Sequence, residues 1–105
     1  MIIAGILLAI APCPLIHQAT VAGILGVPVT ATGCDFVGRD VTLHLEMLKD
    51  FKRCPDAVPL KGLGSEAFAC GDELVVRVRE KAFLVRTKDR EKARKVAESV
   101  AGSLF

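Results

Sequence analysis

The sequence predicts an α+β domain, with a mainly antiparallel sheet of four or five strands, an N-terminal helix and a C-terminal amphipathic helix. Three observations lead to this fold class. Apolar and polar side chains alternate over residues 41–48, a period typical of a half-buried strand. A Gly-Asp pair at residues 71–72 separates two apolar runs and suits a tight hairpin, and apolar residues recur with helical spacing between residues 93 and 104. Hairpins followed by an amphipathic helix favour an antiparallel sheet covered by that helix.

The first third of the chain carries no formal charge, since residues 1–34 contain no Asp, Glu, Lys or Arg. Residues 1–11 are apolar or small, and this run is far shorter than the roughly 20 residues that a spanning helix needs. Its length suits the hydrophobic region of a secretory signal. Three interpretations remain open for these residues: a leader remnant, an apolar anchor, or the first buried element of the fold. A single domain is expected over residues 12–105.

A short helix is expected after Pro14, because proline suits a first helical turn and Gly26 followed by Pro28 provides a stop. Residues 31–38 are predicted to form one strand, which pairs with the alternating strand 41–48. The next segment contains two prolines, two glycines and six charges, so residues 49–65 are predicted to be mainly loop.

Three more strands and a helix complete the predicted fold. Residues 66–70 and 73–79 flank the Gly-Asp turn, and residues 82–87 follow after a second turn. The last helix begins at Asp89, whose negative charge suits the N-terminal end of a helix.

Four cysteines, Cys13, Cys34, Cys54 and Cys70, are spread along the chain. An even count in a small domain with a possible leader predicts two disulfides. Of the three possible connectivities, the sequential one is favoured, because each bridge would then hold a segment of weak intrinsic structure. Each would stabilise the fold by about 3 kcal/mol in the chain-entropy model. Structural zinc is the weaker alternative, because no closely spaced Cys pair is present.

A thiol-dependent redox protein is the alternative use of these cysteines. Cys13 lies at the start of the predicted helix, where the helix dipole would lower the pKa of its thiol, and His17 follows four residues later. However, Ile16 occupies the position at which a C-x-x-C motif would place its second cysteine. His44 is expected to be a solvated strand histidine. No nucleophile motif stands beside either histidine, so no catalytic set, metal site or cofactor is predicted.

The net charge of +2 favours no class of partner, but basic residues concentrate between residues 77 and 95. They are expected to form a solvated surface. The functional alternative is contact with anionic lipid headgroups. The absence of Trp and Tyr argues against a base-stacking surface for nucleic acid. The cations proposed for an anionic surface are Arg77, Arg79, Lys81, Arg86 and Lys88.

Two stretches of the sequence together resemble a known family. "PCPLIHQATVAGILGVPV" followed by "GCDF", and "VPLKGLGSEAFACGDELVVRVREKAFLVRT" followed by an amphipathic helix, are similar to small secreted bacterial cell-envelope lipoprotein domains of unknown function. Those domains have a Pro-Cys helix, a Cys-aromatic strand and a Gly-Leu-Gly-x-Glu-Ala-Phe box. The resemblance covers roughly residues 12 to 104, although Ser65 replaces the acid of the box. It implies a secreted, disulfide-stabilised domain in which Cys13 and Cys34 match the family's helix and strand cysteines. It brings no catalytic residues.

The box also has a structural explanation in this chain. Gly62 and Gly64 permit positive backbone angles where a strand begins, and Phe68 is expected in the core. The sequence as a whole therefore predicts a non-enzymatic, disulfide-stabilised domain, extracellular or in the cell envelope, that binds a partner protein or an envelope surface.

Overall fold

The structure is a computed structural model of the chain, and it describes residues 12–105. A seven-stranded, fully antiparallel sheet carries two helices on one face, and its strands lie in the order β1-β2-β3-β7-β6-β5-β4. In chain order the elements are α1 (Gln18–Leu25), β1 (Val29–Thr32), β2 (Asp35–Gly38), β3 (Val41–Leu48), β4 (Val58–Leu60), β5 (Glu66–Cys70), β6 (Glu73–Val78), β7 (Lys81–Arg86) and α2 (Arg90–Leu104). The interpretations offered for residues 1–11 lie outside the described residues.

The α+β class is confirmed, but the prediction of four or five strands was wrong. The segment predicted as one strand over residues 31–38 is a hairpin, in which β1 and β2 meet at a two-residue turn between Thr32 and Asp35. Gly33 occupies the first turn position with φ +61°, a conformation that glycine adopts without steric penalty. That turn reverses the chain, so one predicted strand becomes two.

The second unpredicted strand, β4, lies inside the segment predicted as loop. It pairs with β5 through only three residues, with Pro59 opposite Phe68. Proline has no N–H to donate, so within a sheet it is confined mainly to edge strands. β4 is the outermost strand on its side of the sheet, where its outer backbone groups need no partner strand.

The two helices cover one face of the sheet and form the main core with it. The predicted apolar stripe of α2 is confirmed, because Ala93, Val96, Ala97, Val100 and Ala101 are all buried. Asp89 caps this helix by accepting hydrogen bonds from the N–H groups of Glu91 and Lys92 at 3.0 and 3.1 Å. The Lys92 ammonium group also donates to the carbonyl of Leu25 at 2.9 Å and so ties α2 to the C-terminal end of α1. Neither helix of residues 12–105 is long and apolar enough to cross a membrane.

The opposite, outer face of the sheet is covered only in part, by residues 49–57, which we call the strap. Phe68 is buried, as predicted, but it lies under the strap on this outer face and not under the helices. Val75 and Leu84 are buried beside it. The ring of Phe51 packs on that of Phe68 with centroids 5.0 Å apart. Over this half of the sheet the strap therefore builds a second, smaller apolar cluster.

Two disulfides, Cys13–Cys34 and Cys54–Cys70, confirm the favoured sequential pairing. The first joins the segment before α1 to the β1–β2 turn, and the second fastens the strap to the end of β5. Two covalent links in a chain of this size fit a disulfide-stabilised domain of extracellular type.

Candidate functional site

The residues proposed for redox chemistry do not form a thiol site in this structure. Cys13 is bonded to Cys34, and none of the four cysteines is free. The expectation that Cys13 lies at a helix N-terminus is also wrong, because α1 begins at Gln18 and His17 is its N-cap residue. The disulfide and the pairing of Pro12 with Gly33 hold this segment at the sheet edge, so the helix starts only further along the chain.

Two of the five cations proposed for an anionic surface are held in ion pairs on the outer face. A nitrogen of the Arg86 guanidinium group lies 2.6 Å from a carboxylate oxygen of Glu73. Arg77 lies 3.7 Å from Glu66, and it also donates to the carbonyl of Arg79 at 2.8 Å. These two arginines are therefore partly neutralised by neighbouring strands.

The other three cations lie at opposite ends of the sheet. Arg79 lies in the β6–β7 turn and Lys81 directly follows it, whereas Lys88 follows the far end of β7. Cations of the neighbouring helix α2 serve the fold instead: Arg90 and Arg94 donate to backbone carbonyls of surrounding loops. The cations that are close together in the sequence are therefore not close together in the fold. Some form ion pairs or hydrogen bonds within the protein, and the others lie at two separate ends of the sheet.

The half of the outer face that the strap leaves uncovered is open to solvent, and we call it the open face. Its side chains come from β2, β3 and β7, and they include Val37, which is 52% exposed. A cleft of about 450 Å³ lies along it, lined by Val37, Thr42, His44, Arg86 and Lys88 among others. Except for Lys88, which follows β7, these residues stand on paired strands, so the register fixes their positions relative to one another.

A row of charged side chains crosses the open face at right angles to the strands. The register places Asp35 of β2 opposite His44 of β3, His44 opposite Arg86 of β7, and Arg86 opposite Glu73 of β6. Acidic groups stand at both ends and basic groups between them. Directly opposite residues of unlike charge stabilise a sheet by roughly 0.2–1 kcal/mol per pair, so the two outer pairs reinforce the pairing of β2 with β3 and of β6 with β7. His44 and Arg86, in the middle of the row, are both basic and do not reinforce the pairing of β3 with β7.

His44 lies on the outer face of β3 with its side chain 30% exposed, as the sequence predicts, but it is held between two carboxylates that the sequence interpretation did not foresee. Its Nδ1 lies 2.6 Å from Asp35 Oδ1, and its Nε2 lies 3.0 Å from Glu46 Oε1. A neutral imidazole has only one N–H, so only the protonated ring can donate to both carboxylates. The hydrogen bond with Glu46, followed by that with Asp35, raises the pKa of His44 above 6.5, although burial and the nearby Arg86 charge oppose this shift.

This arrangement predicts a pH-dependent stability. A raised pKa in the folded state means that the charged form of His44 stabilises the fold fully below pH 6.5, and that this contribution disappears as the pH rises through the folded-state pKa. We therefore expect the free energy of unfolding, measured by urea denaturation, to fall between pH 5.5 and pH 8. In His44→Gln this fall should shrink.

The matched control for this experiment is His17→Gln, which removes the only other histidine of the chain. His17 forms no side-chain capping bond at α1, so this variant should keep the pH dependence of the unmodified protein. An equal loss of pH dependence in both variants, or none in His44→Gln, would contradict the assignment.

The Asp35–His44–Glu46 cluster does not form a metal site. The two carboxylates approach opposite nitrogens of one ring, so the three groups do not converge on a single point. Across residues 12–105, no group of three or more His, Cys, Asp and Glu side chains could hold a metal ion.

The sequence interpretation missed the two acidic members of this row, although local signals could have found both. The turn at Arg39–Asp40 sets the register of its hairpin and thereby places Asp35 opposite His44. The turn after Val78 sets the next register and places Glu73 opposite Arg86. Counting residues outward from each predicted turn would have placed Asp35 opposite His44 and Glu73 opposite Arg86.

Comparison with known proteins assigns no family to the chain. No family model, no curated protein and no solved structure matches it. The similarity to envelope lipoprotein domains therefore remains a prediction from sequence motifs, and the function has to be inferred from the geometry of the surfaces described above.

Proposed function

We propose that this chain is a non-enzymatic binding domain of the cell envelope or the extracellular space, and that the open face is its contact surface for a partner protein. The two disulfides support such a location, because these bonds persist in oxidising compartments and are rare in reducing ones. The resemblance to secreted envelope lipoprotein domains points to the same location.

The observation that carries the binding proposal is the unequal covering of the outer face. The strap buries one half of this face under an apolar cluster and a disulfide. The other half keeps an apolar side chain, Val37, exposed beside an ordered row of charges. Side chains already ordered on strands lose little conformational freedom on binding, which favours a rigid contact surface.

The chemistry of the open face describes the partner that it would accept. The side chains of Asp35 and Glu46 remain 62% and 53% exposed although both contact His44, so each can still accept hydrogen bonds from another molecule. Val37 supplies an apolar contact two residues from Asp35 on the same strand. A protein surface that places basic or amide donors around an apolar side chain would complement this pattern.

A crosslinking experiment in the native host tests this proposal. A photoreactive amino acid replaces Val37 on the open face, and in a matched control it replaces Lys95, which is exposed on α2. We expect a discrete adduct from position 37 in the envelope or secreted fraction, and none from position 95. In the same fraction, alkylation before reduction should detect no free thiol.

Two outcomes would contradict the proposal. The absence of any adduct from position 37 would remove the open face as a contact surface. Protein found only with four free thiols would contradict the oxidising location, since all four cysteines are bonded in this fold.

A further inference from the structure

The end of the sheet at the β6–β7 turn displays two of the four large apolar side chains that are exposed in residues 12–105. Met47 is 42% exposed and Phe105 is 60% exposed. Met47 stands near the end of β3, whose Leu48 pairs with Ala82 close to the turn. Leu104, which precedes Phe105 at the end of α2, lines a small cleft together with residues 78–81. We call this region, formed by Met47, Lys49, Arg79, Lys81 and Phe105, the hairpin end.

Three cations belong to the same end of the sheet. Arg79 lies in the turn and Lys81 directly follows it. Lys49 follows Leu48, which pairs with Ala82, so the β3–β7 register continues from Lys49 toward Lys81. Within residues 12–105 none of the three forms an ion pair, unlike Arg77 and Arg86.

Acidic residues reduce the positive charge of the hairpin end without cancelling it. Asp50 follows Lys49 along the chain, and Glu80 lies between Arg79 and Lys81. Three cationic side chains therefore stand against two anionic ones, and Glu80 is the second residue of the turn itself. Its removal should strengthen any attraction to an anionic surface.

The backbone conformation of Arg79 is a separate observation that favours a functional role for this residue. Arg79 occupies the first position of its two-residue turn with φ 57°, a region unfavourable to residues with a side chain. The equivalent position in the β5–β6 turn is Gly71, with φ +61°. The strained turn is supported from outside, because the Arg79 N–H donates to Ser65 Oγ at 3.1 Å and its carbonyl accepts from Arg77. Strain of this kind concentrates at functional positions.

We propose that the hairpin end binds an anionic lipid surface, with its cations against the headgroups and its two apolar side chains in the interfacial region. Basic residues next to exposed apolar side chains are the pattern of surface-bound membrane proteins. This inference deepens the proposed envelope function and rests on it. It also divides the five predicted surface cations, since Arg79 and Lys81 contact lipid whereas Lys88, at the other end of β7, does not.

The test is co-sedimentation of the full chain with phosphatidylcholine vesicles that contain or lack phosphatidylglycerol. The quantity compared is the ratio of the two affinities, so that any apolar attraction common to both vesicles cancels. We expect this ratio to fall about fivefold for each basic residue removed from the surface, and to fall with added salt. Arg79→Gly is the key variant, because glycine suits the backbone of the turn and leaves no reason for misfolding.

Three further variants decide the interpretation. Lys49→Glu/Lys81→Glu should reduce the ratio further, and Glu80→Gln should raise it. The matched control Lys88→Glu/Lys95→Glu changes the net charge as much as Lys49→Glu/Lys81→Glu, but its residues lie away from the hairpin end. Its affinity ratio should therefore stay within about twofold of that of the unmodified chain.

A ratio near one for the unmodified chain would overturn the proposal, as would equal losses in the control and the hairpin-end variants. The second result would mean attraction by net charge alone. Failure here is distinguishable from failure of the proposed function: an adduct from position 37 without lipid binding would leave a partner-binding domain that does not contact membrane at this end.

Discussion

Replacing Cys54 and Cys70 together by serine is expected to lower the free energy of unfolding by about 3 kcal/mol. The bridge joins residues 16 apart in sequence, and without it the unfolded chain regains the freedom of that loop. The folded state also loses the anchor of the strap, which then rests on the contact between Phe51 and Phe68 and on the ion pair of Arg53 with Glu66 at 2.8 Å. Urea denaturation of the oxidised protein and of the variant measures the loss.

The double variant Cys13→Ser/Cys34→Ser is the control that separates the two effects. Its bridge closes a similar loop, so the loss of stability should be similar. Only the first variant, however, should expose the strap to trypsin at Lys52 and Arg53 under native conditions. Equal cleavage of the strap in both variants would show that the Cys54–Cys70 bond does not hold it down.

The elements that the sequence predicts correctly are those in which one face of a periodic segment is buried. In β3, Leu43 and Leu45 are buried and alternate with polar residues that reach the outer face, so the period of two is visible. In α2 all five buried residues fall on one helical stripe. Local periodicity carried this information because the packing of each segment is uniform along its length.

The two strands that the sequence does not predict are both edge strands, and neither carries a clear period. β4 has no buried residue and contains Pro59, so its residues resemble those of a loop. β1 has one buried residue, Val29, among small or polar side chains. An edge strand pairs on one side only. A short edge strand is therefore identified by its pairing with the neighbouring strand, which the local sequence does not show.

The open face shows the same limit between local and long-range information. The partners Asp35 and Glu73 follow from hairpin turns that the sequence reveals. The pairing of His44 with Arg86, in contrast, joins β3 to β7 across more than 40 residues, and no local pattern specifies that register. Likewise, only the tertiary structure shows that Arg79 forms no ion pair within residues 12–105.

Gly64→Ala is expected to destabilise the protein by roughly 2–4 kcal/mol, of which about 1–2 kcal/mol comes from a left-handed backbone and the rest from steric overlap. The sequence predicted positive backbone angles at both glycines of the box, and this is confirmed, with φ +72° at Gly62 and +61° at Gly64. A Cβ atom at Gly64 would lie 2.7 Å from the carbonyl oxygen of Arg77 and 2.7 Å from a methyl group of Val76. That carbonyl already accepts a hydrogen bond from the N–H of Ser65 at 2.8 Å, so relief of the overlap would separate the beginning of β5 from β6.

Gly71→Ala is the control that isolates the steric part of this effect. Gly71 has the same φ of +61°, but a Cβ atom there would meet nothing within 4 Å. We expect this variant to lose only about 1–2 kcal/mol, the cost of the backbone conformation alone. Urea denaturation of the two variants therefore measures the close approach of β5 to β6 as a difference between two chemically identical substitutions. Equal losses would mean that Gly64 is required only for its backbone angle, and that the box does not depend on the contact between these two strands.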